Sequence, residues 1–153
     1  MYFPFLPVSI IWELFFHIQV KYLHLESYYN ASNRELHIHT ISTEHLQSKG
    51  IGTYLFSILF NYLKFHKINF TKISLIFYPT IPHPDRPTER IQTPAVKMRG
   101  MEFYYKVFSL YANFYPMIGK EQITNPTKEN LQAVIDDYES DDSPSGMVFK
   151  KRK

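Results

Sequence analysis

From Phe16 the apolar side chains alternate: Phe16, Ile18, Val20 and Tyr22 fall on one face, His17, Gln19 and Lys21 on the other. A period of two predicts a strand buried on one side. The polar cluster Asn30-Ala31-Ser32-Asn33 predicts a turn. A second alternating run sets Leu36, Ile38 and Thr40 against Glu35, His37, His39 and Ile41. The two runs are expected to pair as an antiparallel hairpin. Ile51, Leu55, Ile58, Leu59, Tyr62 and Leu63 then recur at helical spacing. Lys64, His66 and Lys67 close that run, where a helix C-terminus favours cations. Lys72-Ile73-Ser74-Leu75-Ile76-Phe77-Tyr78 is nearly continuous in β-branched and aromatic residues, which predicts a strand covered on both faces. Strand, helix, strand of this length predicts a right-handed crossover joining parallel strands.

Pro79, Pro82, Pro84, Pro87 and Pro94 exclude helix and central strand from residues 79–94. Thr93-Pro94 predicts the cap and first position of a helix that carries Met98, Met101, Phe103, Tyr104, Tyr105, Val107 and Phe108. Asn125-Pro126 predicts the start of a third helix reaching about Tyr138. An acidic cluster follows (Asp136, Asp137, Glu139, Asp141, Asp142), then the turn Ser143-Pro144-Ser145-Gly146. Gly146-Met147-Val148-Phe149 predicts a last strand ahead of the basic residues 150–153. With no internal repeat and no composition break, residues 1–153 are expected to form one domain.

Composition narrows the classes. A chain of 153 residues with 44% hydrophobic side chains can bury a core, and disorder is excluded. The absence of cysteine removes disulfides, thiolate metal sites and cysteine nucleophiles. A net charge of +3 is too mild to imply nucleic acid. Residues 1–20 are apolar but interrupted by Pro4, Pro7, Glu13 and His17, with no Lys or Arg ahead of them. That makes a poor signal peptide and a broken membrane span, so the segment is read as core-forming and the chain as cytoplasmic.

The most informative stretch is Gln47-Ser48-Lys49-Gly50-Ile51-Gly52, between an alternating run and an amphipathic one. Strand, glycine turn and helix start is the geometry that cradles a phosphate. Glycines admit the anion close to the backbone, while the first helical turn directs unpaired N–H groups and a partial positive charge at it.

This order of elements resembles the GNAT superfamily of acetyl-CoA-dependent N-acetyltransferases. That family's pattern [R/Q]-x-x-G-x-[G/A] is matched by Gln47, Gly50 and Gly52, and the strand Glu35-Leu36-His37-Ile38-His39-Thr40-Ile41-Ser42 is similar to its acid-to-Ile-Ser strand. Gly100 and Tyr104 match its spacing of a small residue and, four positions on, a tyrosine. Phe108-Ser109 stands where the family carries Gly-Phe, and the region ahead of the coenzyme motif is shorter than usual. The matching part covers about residues 35–108.

The resemblance implies a mixed α+β or α/β fold, with a central mixed sheet whose parallel strands splay around the coenzyme site between flanking helices. It implies an acetyl group passing directly from acetyl-CoA, as cosubstrate, to a primary amine in a ternary complex. The acceptor class stays open among protein, peptide, aminoacyl-tRNA and small molecule. Backbone groups of His39, Thr40 and Ile41 would hold the pantetheine arm and polarise the carbonyl. Gln47, Ser48, Lys49, Gly50, Ile51, Gly52 and Thr53 would hold the pyrophosphate. Glu35 is the candidate general base and Tyr104 the candidate acid for the thiolate.

Alternatives remain beside each assignment. Glu35 could be an exposed carboxylate and Tyr104 a core aromatic next to Tyr105. His37 and His39 could supply a base or a substrate contact; no third ligand at a recognisable spacing makes them a metal site. His45 is read as a solvated loop residue. Gly100 costs its helix up to about 1 kcal/mol relative to alanine, which points to a close approach by backbone or cofactor, or to tight helix packing. The segment with His83, Asp85, Arg86, Glu89 and Arg90 is either a substrate loop or a surface excursion. The whole chain could instead be a GNAT-shaped binding protein without turnover, or a nucleic-acid binder using its basic tail with Lys64, Lys67 and Lys72. A homodimer stays open as the assembly, and no membrane partner is expected.

Overall fold

A computed structural model describes residues 13–20, 23–42, 50–140 and 146–152. Among them the chain is α+β, with three helices and mixed strand pairing. It divides into two compact units, Met1–Leu75 and Ile76–Lys153.

The first unit holds β1 (Glu13–Val20), β2 (Leu23–Asn30), β3 (Glu35–Ser42), α1 (Ile51–Phe65) and β4 (Lys72–Leu75), with the strands side by side in that order. β1 pairs antiparallel with β2, from Glu13 opposite Asn30 to Val20 opposite Leu23. β2 pairs antiparallel with β3, and β3 pairs parallel with β4, from Glu35 opposite Lys72 to Ile38 opposite Leu75. A parallel pair needs a crossover, and α1 supplies it. The expected parallel unit is therefore present.

The hairpin expected between the runs at 16–22 and 35–42 does not form. Leu23–Asn30 is a strand of its own and lies between them. Its buried face carries Leu25, Ser27 and Tyr29, and the serine in that row weakened the apolar alternation. The turn at 31–34 is where it was expected, but it joins β2 to β3. Asn30 Oδ1 accepts the Ser32 N–H at 3.0 Å and Asn33 Oδ1 accepts the Glu35 N–H at 3.1 Å.

One face of this sheet is apolar: Phe16, Ile18, Leu25, Tyr29, Leu36, Ile38, Ile73 and Leu75 are buried. Leu55, Phe56, Leu59, Phe60 and Leu63 of α1 are buried too. Phe56 and Phe60 replace the expected Ile58 and Tyr62, so the stripe is rotated toward the larger rings. Glu35 and His37 of β3, with Lys72 and Ser74 of β4, occupy the opposite face, as strand alternation requires.

The second unit holds β5 (Ile81–Pro82), β6 (Arg90–Ile91), α2 (Pro94–Ala112), β7 (Phe114–Ile118), β8 (Glu121–Gln122), α3 (Lys128–Ser140) and β9 (Met147–Lys151). β7 lies between β8 and β9 and is antiparallel to both. β5 and β6 form a small antiparallel ribbon inside the proline-rich segment. α2 starts as expected: Thr93 Oγ1 accepts the Val96 N–H at 3.2 Å, with Pro94 in the first turn. It ends at Asn113, whose positive φ of 60° suits asparagine.

Two boundaries differ from expectation, and the strands β7 and β8 were not expected. α3 is capped by Thr127, not Asn125: Thr127 Oγ1 accepts the Asn130 N–H at 3.1 Å, and Asn125 instead offers its carbonyl to Asn130 Nδ2 at 2.8 Å. β4 stops at Leu75, short of Tyr78. The Phe77 N–H goes to the Tyr138 hydroxyl at 3.1 Å, while Ile76 and Tyr78 are exposed. β7 and β8 had no strand signal because Pro116 sits mid-strand, a residue that strands admit only where its missing donor is not needed.

Candidate functional site

Gly50 precedes α1 with φ 77° and ψ 7°, the left-handed conformation that glycine adopts without strain. It has no side chain with which to cap the helix, and the first turn contains no acidic residue. The first helical hydrogen bond runs from the Tyr54 N–H to the Gly50 carbonyl at 3.0 Å. The N–H groups of Ile51, Gly52 and Thr53 come before it, at the positive end of the helix. Gly50 is exposed and Gly52 buried, so the turn meets solvent at its first glycine. Gln47, Ser48, Lys49 and His45 lie outside the described residues, as do residues 1–12.

The parallel ladder of β3 and β4 ends at Ile38 opposite Leu75. On the other side of β3, Ser27 faces Ile38 and Glu26 faces Thr40, which leaves His39 as the extra residue of a β-bulge. Thus His39, Thr40 and Ile41 lie beyond the last rung of the parallel ladder. A bulge of this kind re-aims backbone groups, and β2–β3 pairing resumes beyond it at Thr40 opposite Glu26.

Glu35 begins β3 beside His37, and register brings both against β4. The Lys72 ammonium lies 3.0 Å from Glu35 Oε1. Ser74 Oγ donates to Glu35 Oε2 at 2.5 Å and lies 2.8 Å from His37 Nδ1. Ser74 is fully buried, and Glu35 keeps only 19% of its side-chain exposure. Burial pushes the Glu35 carboxyl up, but the Ser74 hydroxyl and the Lys72 ammonium outweigh it and hold the group below its ordinary range. Burial pushes the His37 imidazole down, the Glu35 charge pulls it up and His39 pushes it down; it ends below its ordinary value. The sequence singled out Glu35 and His37. It did not single out Ser74, and it named Lys72 only as a basic residue of the nucleic-acid alternative; the signal that joins both to Glu35 is the in-register alignment of 35–38 with 72–75 in a parallel pair.

Tyr104 belongs to the second unit, on α2. Its ring makes edge contacts with Phe77 and Phe103 and a tilted one with Phe108. It is only partly buried overall, yet burial pushes its phenol up to about 12. The group stays neutral at physiological pH, but a thiolate whose conjugate acid has a pKa of about 8.5 takes its proton only uphill. Gly100, one turn earlier, faces Pro79 and Phe77: a Cβ there would lie 2.8 Å from Pro79 Cβ. Close packing within the unit accounts for that glycine.

The proline-rich segment is braced by polar contacts. Arg90 donates to the Thr80 hydroxyl and carbonyl at 2.8 and 2.9 Å, and His83 Nδ1 accepts the Asp85 N–H at 3.0 Å. Lys150 and Lys151 of the basic tail are part of β9, and the Arg152 guanidinium sits over the Tyr115 ring at 5.9 Å. Among the described residues no three of His, Cys, Asp and Glu gather to hold a metal, and no helix is long and apolar enough to cross a membrane. In comparisons with known proteins, no family model, no curated protein and no solved structure matches this chain.

Proposed function

We propose that the protein is an N-acetyltransferase with a GNAT-like fold, moving an acetyl group from acetyl-CoA to a primary amine. The observation that carries the reading is the parallel β3–β4 pair, which stops at Ile38 and Leu75 beside a bulge at His39. Backbone groups released from a ladder can bond an extended pantetheine arm and polarise a thioester carbonyl. The uncapped, glycine-led start of α1, joined to β3 through the motif that begins at Gln47, offers N–H groups to a pyrophosphate. Acceptors in keeping with this chemistry are lysine side chains, chain N-termini, aminoacyl-tRNA and small amines, drawing on cytoplasmic acetyl-CoA.

The test is acetyl transfer from labelled acetyl-CoA to a panel containing spermidine, a lysine peptide and an aminoacyl-tRNA. Transfer that depends on protein and amine supports the reading. Loss of both transfer and acetyl-CoA binding overturns it.

A second reading, a coenzyme-binding protein without turnover, is favoured by one observation: burial leaves Tyr104 a poor proton donor. Acetyl-CoA binding without transfer to any amine would select it. With an active protein, Tyr104→Phe separates the two roles of the phenol: lost turnover at unchanged coenzyme affinity makes it the acid.

A further inference from the structure

We infer that His37 is the base that takes the proton from the acceptor amine, with Glu35 acting through Ser74 as a positioning residue; this rests on the acetyltransferase reading above. The hydrogen bonds determine where each proton sits. Glu35 is an ionised carboxylate paired with Lys72, so it only accepts. Ser74 has a single hydroxyl proton, and at 2.5 Å from Glu35 Oε2 that proton is committed to the carboxylate. The contact of 2.8 Å between Ser74 Oγ and His37 Nδ1 must then be donated by the ring. A neutral imidazole with its proton on Nδ1 presents a bare lone pair at Nε2. Nε2 has no partner among the described residues, and the ring is only partly buried.

Glu35 is poorly placed for the same task. Both of its oxygens are engaged, one by Lys72 and one by Ser74. The groups around His37 are Glu35 and His39 on β3, Lys72 and Ser74 on β4, and Tyr28 across the ladder on β2. Of these, Glu35 favours the protonated ring and His39 opposes it, while burial keeps the resting ring neutral.

In the step, His37 Nε2 takes one proton from the acceptor ammonium, giving imidazolium and a free amine. The amine nitrogen forms its bond to the thioester carbonyl carbon and the carbon–sulfur bond breaks. The second nitrogen proton leaves with the coenzyme A thiolate as a thiol, and the imidazolium returns its proton to water.

Two measurements on the full-length protein test this. The first is the ¹⁵N spectrum of the His37 ring in the resting protein, which should show the Nδ1–H tautomer; in Ser74→Ala the single tautomer should be lost. An Nε2–H ring in the wild type overturns the inference whatever the activity. The second is the pH dependence of kcat/KM with acetyl-CoA and the best amine of the panel. His37→Gln should lose about a hundredfold or more, together with the acidic limb of the profile. Glu35→Gln, which keeps an acceptor for the Ser74 hydroxyl, should lower kcat/KM by less than His37→Gln does and move that limb to lower pH, because the charge that raises the His37 pKa is gone. Activity abolished in Glu35→Gln but retained with its acidic limb in His37→Gln would make Glu35 the base and overturn the inference. A wild type with the Nδ1–H tautomer but no acetyl transfer to any amine overturns the acetyltransferase reading, and with it the role of His37, while the hydrogen-bond chain stands.

Discussion

Gly100 faces Pro79 so closely that a Cβ at residue 100 would lie 2.8 Å from the proline Cβ and 2.9 Å from its Cγ. The proline ring cannot swing aside as a flexible side chain would, so α2 must shift to admit a methyl group. Alanine gains up to about 1 kcal/mol over glycine in a helix interior, but overpacking typically costs about 1–3 kcal/mol. Gly100→Ala is expected to be net destabilising, seen as a lower urea midpoint at unchanged slope. A rise in the midpoint would show that the contact is soft.

Tyr138 takes the Phe77 N–H at 3.1 Å and lays its ring edge-on to Phe77 at 6.1 Å. Phe77 is buried, so Tyr138→Phe keeps the ring and strands a buried donor. The expected loss is about 1–3 kcal/mol by denaturant unfolding. A loss within experimental error would mean that another acceptor reaches the N–H.

Ser27 is fully buried on the apolar face of β2, and its hydroxyl has no hydrogen-bond partner among the described residues. An unpaired buried hydroxyl costs free energy that alanine avoids at nearly the same volume. Ser27→Ala is expected to stabilise by about 1 kcal/mol. Destabilisation would reveal a bound water or a partner for the hydroxyl beside the bulge at His39.

Signals that act within one helical turn or follow a clear change of hydrophobic period carried over into the structure; those that depend on strand register did not. Thr93-Pro94 starts α2 because a cap and an N-terminal proline act within one turn. The parallel β3–β4 unit was legible because the hydrophobic period switches from two to 3.6 and back. β2 was missed because Ser27 interrupts its buried row, and the third helix cap was misassigned because Thr127 sits only two positions past Asn125. The bond from Ser74 to Glu35 spans 39 positions and follows from strand register alone. No pattern in either segment encodes it. The glycine turn was legible as a motif, and the resemblance led to strands parting at His39, Thr40 and Ile41, where the β3–β4 ladder has ended; the bulge at His39 was not legible.

Acid should weaken the fold through the same cluster. His37 is held below its ordinary 6.5 and Glu35 below its ordinary 4.5, so the unfolded chain binds each proton more readily. Their stabilisation is complete above about pH 6.5. It falls as pH drops from there through the folded pKa of His37, then again below about pH 4.5 through that of Glu35. Urea midpoints should therefore decline on acidification, with the upper part of the decline reduced in His37→Gln and the lower part in Glu35→Gln. Midpoints that rise on acidification in the upper range would contradict the environment assigned to His37.

The most direct test of the proposed coenzyme site is thermal unfolding with and without acetyl-CoA, in the wild type, Gly50→Asn and Gly50→Asp. Asparagine and aspartate both tolerate the left-handed conformation at φ 77°, and only aspartate sets a negative charge at the start of α1. A ligand at a hundred times its dissociation constant stabilises by about 2.7 kcal/mol, enough to raise the midpoint by a few degrees. That rise is expected in the wild type and Gly50→Asn, and its loss in Gly50→Asp. No rise in the wild type at millimolar acetyl-CoA, or an equal rise in all three proteins, would contradict the proposed coenzyme site.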